Sequence, residues 1–217
     1  MLRIEGLDVS IGSISILRNV NMQLPAGKFT GLIGRNGAGK TTLMRSIMGI
    51  LPARNGSVHF EGGTLDAMPV HLRARLGIGY MPEDRRLVPD LTVEENVLLP
   101  AWVSDAAQSQ TRLAKVYEMI PEVQAFAARK AMLLSGGQQK LVALARALMS
   151  GTKVLLLDEP FEGVAPALSK RLADVIASLK GSEVSVLMAQ SDLNHARRLV
   201  DGEYVIERGA NVAAEAA

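Results

Sequence analysis

A short stretch early in the chain carries the residue types of a phosphate-binding loop. GRNGAGKT, residues 34–41, matches G-x-x-x-x-G-K-[ST] in full and lies between a short apolar run and a helical pattern. Glycines let backbone N–H groups curve around phosphate oxygens, and the following helix adds the positive end of its dipole. We therefore predict an ATP site in which Lys40 reaches the β- and γ-phosphates and Thr41 ligates Mg²⁺, rather than a chance glycine turn before a lysine. The residues predicted to contact the nucleotide here are Gly34, Arg35, Asn36, Gly37, Ala38, Gly39, Lys40, Thr41 and Thr42.

Two adjacent carboxylates provide the second part of this chemistry. In KVLLLDEP, residues 153–160, Asp158 and Glu159 come directly after an apolar run typical of a buried strand. Asp158 is predicted to hold Mg²⁺, and Glu159 is predicted to orient or deprotonate the attacking water. The alternative is that Asp158 and Glu159 only form the polar end of a strand. The phosphate loop in the same chain favours the magnesium and base roles over this alternative.

Two consecutive glycines precede a helical pattern in LLSGGQQKL, residues 133–141. Ser135 and Gln138 form an S-x-x-Q capping box, which predicts a helix that begins in GGQQ. The free N–H groups of this helix start are a second anion site in one chain. One γ-phosphate seldom needs two such helices from a single subunit. Taken alone, this stretch is equally compatible with a purely structural role, in which a simple helix cap is followed by a tight turn.

The elements that must position these residues alternate along the chain. NVNMQLP, KFTGLIG, GSVHFEG and LGIGYMP have strand patterns, and TTLMRSIMG has a helical pattern that ends at Gly49. VSVLMA is a further apolar run typical of a parallel strand buried on both faces. Pro166 opens a helix that is predicted to close at Gly181, and EYVIERG is predicted to form a final hairpin strand.

The middle of the chain, from about residue 82 to residue 150, has helical rather than strand patterns. Thr92 and Glu95 form a T-x-x-E capping box, and LAKVYEMI and VQAFAARK continue the helical pattern. Strands that alternate with helices on both sides of this segment predict an α/β fold with a helical insertion. We expect a single domain over residues 1–217.

Composition limits the possible classes of protein. A chain of 217 residues that is 48% hydrophobic can bury one sizeable core. Its formal net charge of +2 gives no indication of a nucleic-acid partner. Without cysteine the chain has neither disulfides nor thiolate metal sites, and its three histidines are not clustered. It shows no signal-peptide segment and no apolar run of the roughly 18 residues needed to span a bilayer, so we expect a soluble chain.

LSGGQQ between the phosphate loop and LLLDEP resembles the signature of ABC-transporter ATPase subunits, and the resemblance covers essentially the whole chain. It implies a P-loop NTPase core of mostly parallel sheet flanked by helices, an antiparallel β subdomain and a helical subdomain that carries the signature. In that family two subunits face each other head to tail, and each ATP lies between one subunit's P-loop and the other's signature. The resemblance therefore implies contacts to the partner's ATP from Ser135, Gly136, Gly137 and Gln138.

YMPEDRRLVPDLTVEENVLLPAW and LLLDEPFEGVAP are similar to the ATPase subunits of branched-chain amino-acid and related urea or amide uptake systems. This resemblance places Glu83 at the family's Q-loop, which implies that it would sense the γ-phosphate and Mg²⁺. It implies integral membrane permease subunits as partners, indirectly a solute-binding protein, and a peripheral location on the cytoplasmic face of the membrane. Arg85, Arg86 and Leu87 would lie near the permease; a solvated loop is an equally good interpretation of these three.

Three positions depart from the family pattern. Where the family has an aromatic residue that stacks on adenine, this chain has Ser10 and Ile11, and Ile11 offers only apolar contact with the base. Ala165 replaces the D-loop aspartate. Ser191 stands at the switch-histidine position, and His195, four residues later, is not assigned that role. Since serine supplies no cation, we expect slow or partner-dependent hydrolysis.

Two other classes of function remain as alternatives. A soluble ABC-type ATPase that acts on ribosomes or DNA usually has tandem cassettes or long coiled coils, and this chain has one cassette and no heptad run. A small-molecule kinase would use the same P-loop, but it would leave LSGGQQ and the Asp158–Glu159 pair without a purpose.

Overall fold

The computed structural model describes residues 1–104, 108–192 and 197–212. Its strands are β1 (Leu2–Ile11), β2 (Ile14–Leu24), β3 (Phe29–Ile33), β4 (Asn55–Phe60), β5 (Gly63–Thr64), β6 (Ile78–Met81), β7 (Val154–Asp158), β8 (Ser185–Gln190), β9 (Gly202–Glu207) and β10 (Ala210–Val212). Its helices are α1 (Lys40–Ile47), α2 (Val70–Arg75), α3 (Val93–Ser104), α4 (Ser109–Met119), α5 (Pro121–Ala125), α6 (Gly136–Ser150) and α7 (Pro166–Ala177), with a 3₁₀ turn at Ala131–Leu133. The predicted α/β fold is confirmed.

The strands form two sheets. One is antiparallel, with the order β2-β1-β4-β5. The other has the order β10-β9-β3-β8-β7-β6, in which all neighbours are parallel except β10 and β9. The predicted final hairpin is therefore present, and its first strand also pairs with β3. Because β3, β7 and β8 run in parallel, their carboxyl ends meet at one edge, where ligands bind in open α/β sheets.

The apolar side chains of β7 point alternately to two cores. Leu155 and Leu157 belong to the core under α3, α4, α6 and α7. Val154 and Leu156 belong to the core between α1 and the antiparallel sheet. Alternate side chains of a strand point to opposite faces, so a continuous apolar run is needed when both faces are covered. This double burial holds the strand that ends at Asp158.

The helical part between β6 and β7 begins at the predicted capping box. The Thr92 backbone N–H donates to the Glu95 carboxylate over 2.7 Å, and the Glu95 N–H donates to Thr92 Oγ1 over 3.2 Å. VQAFAARK is only partly helical, because α5 ends at Ala125. The chain then turns back toward the start of α3, where the Val93 N–H donates to the Arg129 carbonyl over 2.9 Å. None of the helices among the described residues is long and apolar enough to cross a bilayer.

The helix that begins at Pro166 ends earlier than its apolar pattern predicts. The structure ends α7 at Ala177 rather than near Gly181. After the helix, backbone hydrogen bonds connect residues that are three positions apart: the Leu179 N–H donates to the Ile176 carbonyl over 3.1 Å. A tight last turn of this kind satisfies the carbonyls that a helix end leaves without partners. Leu179 still packs in the core from outside the helix, which is why the periodic pattern continues past the helix end.

Candidate functional site

The loop between β3 and α1 has the conformation that phosphate binding requires. Gly37 and Gly39 have φ angles of 81° and 112°, which are strained for any residue with a Cβ. Gly39 caps α1 without a side-chain hydrogen bond, so the first backbone N–H groups of this helix have no capping partner. A Cβ on Gly34 would lie 2.4 Å from the Ile206 carbonyl oxygen. The residues present therefore fit a bound phosphate chain.

Lys40 places a buried cation at the centre of this loop. Its side chain is 5% exposed, and Nζ donates to the Gly34 carbonyl over 2.5 Å. The same Nζ lies 3.0 Å from Glu159 Oε1, in an ion pair between two buried groups. Lys40 thus connects the loop after β3 with the carboxylate that follows β7.

Asp158 is a fully buried carboxyl group with two side-chain donors. Thr41 Oγ1 donates to Oδ1 over 3.1 Å, and the Tyr80 hydroxyl donates to Oδ2 over 3.2 Å. Burial raises the pKa of Asp158 to about 6, although both hydrogen bonds act to lower it. Burial, together with the Asp158 charge, also raises the pKa of Tyr80. Sequence reasoning did not identify Tyr80; the only available signal was its place at the end of the strand next to β7.

Asp158→Asn is expected to stabilise the nucleotide-free protein by about 2–3 kcal/mol at pH 7, because the amide keeps two polar contacts without a buried charge. The folded-state pKa of Asp158 lies above the unfolded value of 3.8. The ionised carboxyl group therefore destabilises the fold above pH 6, and this penalty shrinks to nothing as the pH falls through 6 to below 3.8. Urea unfolding of both proteins at pH 7 and at pH 3.5 measures the difference. Equal stabilities at pH 7 would contradict the expectation.

Glu159 is held on both carboxylate oxygens. Lys40 pairs with Oε1, and the Ser191 backbone N–H donates to Oε2 over 3.1 Å, with Ser191 Oγ at 3.5 Å. The backbone of Glu159 is left-handed, with a φ of 47°, and its N–H donates to the Ala189 carbonyl over 3.0 Å. A non-glycine residue in this conformation is under strain, as is common at functional sites.

A cavity of about 400 Å³ opens over the phosphate loop. Its lining includes the predicted residues Glu83 and Glu159, and it also includes Ile16, which sequence reasoning missed. Ile11 is not among the lining residues; its side chain is 50% exposed at the end of β1. Ile16 lies farther along the same hairpin, closer to the loop. The contact of Ile11 with the adenine base therefore stays a prediction, and Ile16 is a second candidate for that contact. A larger cavity of about 580 Å³ near Arg73 contains none of the predicted site residues.

The signature residues form the predicted cap but lie away from this cavity. The Gln138 N–H donates to Ser135 Oγ over 3.3 Å, and the Ser135 N–H donates to Gln138 Oε1 over 3.0 Å, which confirms the capping box. Ser135 and Gly136 are exposed. None of residues 135–138 lines the cavity over the phosphate loop. Within one chain, Ser135 and Gly136 of the predicted second anion site therefore face solvent.

Arg146 fixes the loop that joins Glu83 to α3. It donates to the backbone carbonyls of Arg85 and Arg86, which both have left-handed backbones with φ angles of 62° and 48°. Arg85 Nη1 in turn donates to the Gly136 carbonyl over 3.2 Å. The loop and the signature helix are thus in direct contact, which the sequence did not indicate.

The structure therefore brings Lys40, Thr41, Asp158, Glu159 and Ser191 into one cluster at the carboxyl edge of the parallel sheet. Their chemical roles stay predictions. His195 lies outside the described residues.

Comparison with known proteins places these features in a family. The family model for ABC transporters matches residues 17–162. The chain is 36% identical to the high-affinity branched-chain amino acid transport ATP-binding protein BraG of Pseudomonas aeruginosa, over 96% of this chain and 90% of BraG. It is 31% identical to the lipopolysaccharide export system ATP-binding protein LptB of Escherichia coli, over 91% of this chain and 83% of LptB.

The fold is also similar to that of a solved cassette, the dimeric structure of MJ0796, a bacterial ABC transporter cassette. The TM-score is 0.87 at 25% sequence identity, and the match covers 97% of this chain and 96% of that chain.

Proposed function

The chain belongs to the ABC transporter family of ATP-binding subunits, and from this premise we propose that it drives solute uptake by closing as a dimer on ATP and opening after hydrolysis. One observation carries the proposal: the candidate phosphate ligands and the candidate base share one cavity, whereas none of residues 135–138 lines it and Ser135 and Gly136 are exposed. A site that is split in this way is completed by a second cassette, either identical or different.

We propose that the backbone N–H groups of residues 34–42 and the Lys40 ammonium hold the phosphates of ATP. Thr41, Asp158 and Glu83 would hold Mg²⁺, which neutralises charge on the transferred phosphoryl group when bound. Glu159 would take the proton of the attacking water. Ser191 lies beside Glu159 but brings no cation, so we expect hydrolysis by the isolated chain to be slow.

The signature residues Ser135, Gly136, Gly137 and Gln138 would contact ATP that is bound to the other cassette. This arrangement would place a γ-phosphate at the positive end of α6, where the capping box already occupies the N–H groups of Ser135 and Gln138. Differential affinity of the closed pair for ATP over its products would then drive the conformational cycle. The permease would receive this motion through the loop of residues 85–87, which is the proposed docking segment.

Similarity to BraG supports branched-chain or other hydrophobic amino acids as the solute, with urea or amides as related possibilities. LptB, which is named for an export system, is similar over nearly the same share of the chain, so the direction of transport rests on the higher identity to BraG. The other candidate function is a soluble ATPase that acts on ribosomes or DNA.

Capture from membranes tests this proposal. The tagged chain is incubated with detergent-solubilised membranes of its host, and the bound proteins are identified by mass spectrometry. We expect an integral membrane permease, and ATP hydrolysis that rises when the complex is reconstituted in vesicles with a binding protein and leucine. Ribosomal proteins or DNA as the recovered partner would favour the soluble ATPase, and a phosphorylated small product would indicate a kinase.

A further inference from the structure

Lys140 is a buried cation that the proposed chemistry does not use. It lies in the first turns of α6, two residues after the capping box, and it is 4% exposed. Its Nζ donates to the backbone carbonyls of Glu159 and Glu162, over 2.8 Å in each case. Within the described part of the chain it forms no ion pair. Burying a charged ammonium without a carboxylate is costly, so a purely apolar packing role would be served better by methionine.

The two carbonyls that Lys140 holds belong to one tight turn. The Glu162 N–H donates to the Glu159 carbonyl over 3.2 Å, so the turn runs from Glu159 to Glu162. Its first residue is the strained one, with a φ of 47°. Left-handed backbone persists at a non-glycine residue only where the surroundings enforce it. Lys140 lies in α6, and its two hydrogen bonds to the turn constrain the backbone of Glu159.

We propose that Lys140 is a positioning residue, which holds Glu159 in its left-handed turn and ties this candidate base to the helix that carries the signature. The carboxylate of Glu159 is held by Lys40 and Ser191, and its carbonyl is held by Lys140. When residues 135–138 engage a nucleotide on the partner cassette, the position of α6 becomes fixed. Lys140 then fixes the turn at Glu159 in the same chain. This inference rests on the proposed function, because it concerns how Glu159 is placed for hydrolysis.

A role in stability alone predicts a different result from a role in positioning. After Lys140→Met, the Glu159 carbonyl keeps the Glu162 N–H, and Glu162 itself is exposed to water. Lys140→Met also removes the desolvation cost of the buried ammonium group, which offsets the loss of its two hydrogen bonds to backbone carbonyls. The variant is therefore expected to fold with an unchanged or higher Tm while the turn at Glu159 loosens.

The test compares Lys140→Met, Lys140→Arg and the control Lys170→Met, which removes an exposed lysine of α7. For Lys140→Met we expect kcat for ATP hydrolysis to fall about 10- to 100-fold, as for a misplaced catalytic group, with KM within about twofold of the parent. We expect faster amide hydrogen exchange over residues 159–164, part of the kcat restored by Lys140→Arg, and no effect of the control. Parent-like kcat and exchange in Lys140→Met would overturn the proposal, as would a loss of kcat that only accompanies a lower Tm.

The two proposals fail in distinguishable ways. If the parent protein hydrolyses ATP and Lys140→Met does so equally well, only the positioning role is wrong. If the parent neither binds ATP alone nor hydrolyses it in the complex captured from membranes, the proposed function is wrong, and hydrogen exchange over residues 159–164 still decides whether Lys140 holds the turn.

Discussion

Lys40→Ala is expected to weaken ATP binding by at least about a hundredfold, which corresponds to the loss of one or two charge-assisted hydrogen bonds. Two effects act in the same direction. The variant removes the buried ammonium from the phosphate loop, and it leaves the buried carboxylate of Glu159 without the cation that lies 3.0 Å from Oε1. The uncompensated carboxylate then repels the phosphates.

Titration of both proteins with Mg-ATP by calorimetry measures this change. Lys40→Arg is the matched control, because it keeps a positive charge near the loop and is expected to lose less affinity than alanine. Thermal unfolding without nucleotide shows whether the alanine variant is folded. A folded Lys40→Ala protein that binds Mg-ATP as tightly as the parent would remove Lys40 from the phosphate site.

Glu159→Gln is expected to lower ATP hydrolysis by about 10³-fold while it preserves ATP binding, because glutamine has the shape of glutamate but accepts no proton. Its carbonyl oxygen can still accept the Ser191 N–H, which now lies 3.1 Å from Oε2. With hydrolysis blocked, the ATP-bound closed state should accumulate. Size-exclusion chromatography with light scattering, with and without Mg-ATP, measures the outcome.

An ATP-dependent dimer of Glu159→Gln would mean that residues 135–138 close on the nucleotide of a second copy. A monomer that still binds ATP would indicate a different partner cassette, or a permease that must bring two cassettes together. Glu183→Gln, at an exposed residue just before β8, is the matched control. Hydrolysis by Glu159→Gln at the parent rate would show that another group is the base.

Local patterns predicted the parts of this molecule that depend on residues close in sequence. Ser135 and Gln138 form the expected capping box because their side chains and backbone are three positions apart. The apolar runs of β7 and β8 predicted buried parallel strands, because a strand that is covered on both faces needs a nearly continuous apolar sequence. The phosphate loop was recognisable because the backbone conformation of the loop itself requires its glycines.

Contacts between distant segments could not be predicted in this way. Tyr80 reaches Asp158 across 78 positions of the chain, and the pattern around Tyr80 indicates only a strand. The sequence pattern around Lys140 indicates only the start of a helix, and the packing of α6 against the end of β7 makes this residue buried. Ile16, rather than Ile11, lines the cavity because the position of the β1–β2 hairpin relative to the loop is a tertiary property.

The ion pair between Lys40 and Glu159 gives the proposed nucleotide binding the character of an exchange of anions. In the proposed site, an arriving phosphate would replace a carboxylate as the partner of the same ammonium, so the affinity for ATP would reflect the difference between two pairings rather than the gain of a new one. The exchange would also follow an order in time. The carboxylate is paired with Lys40 in this structure, and it would be released to act as the base when a phosphate takes its place. Substrate binding would thus activate the base, and a subunit without nucleotide would keep it paired.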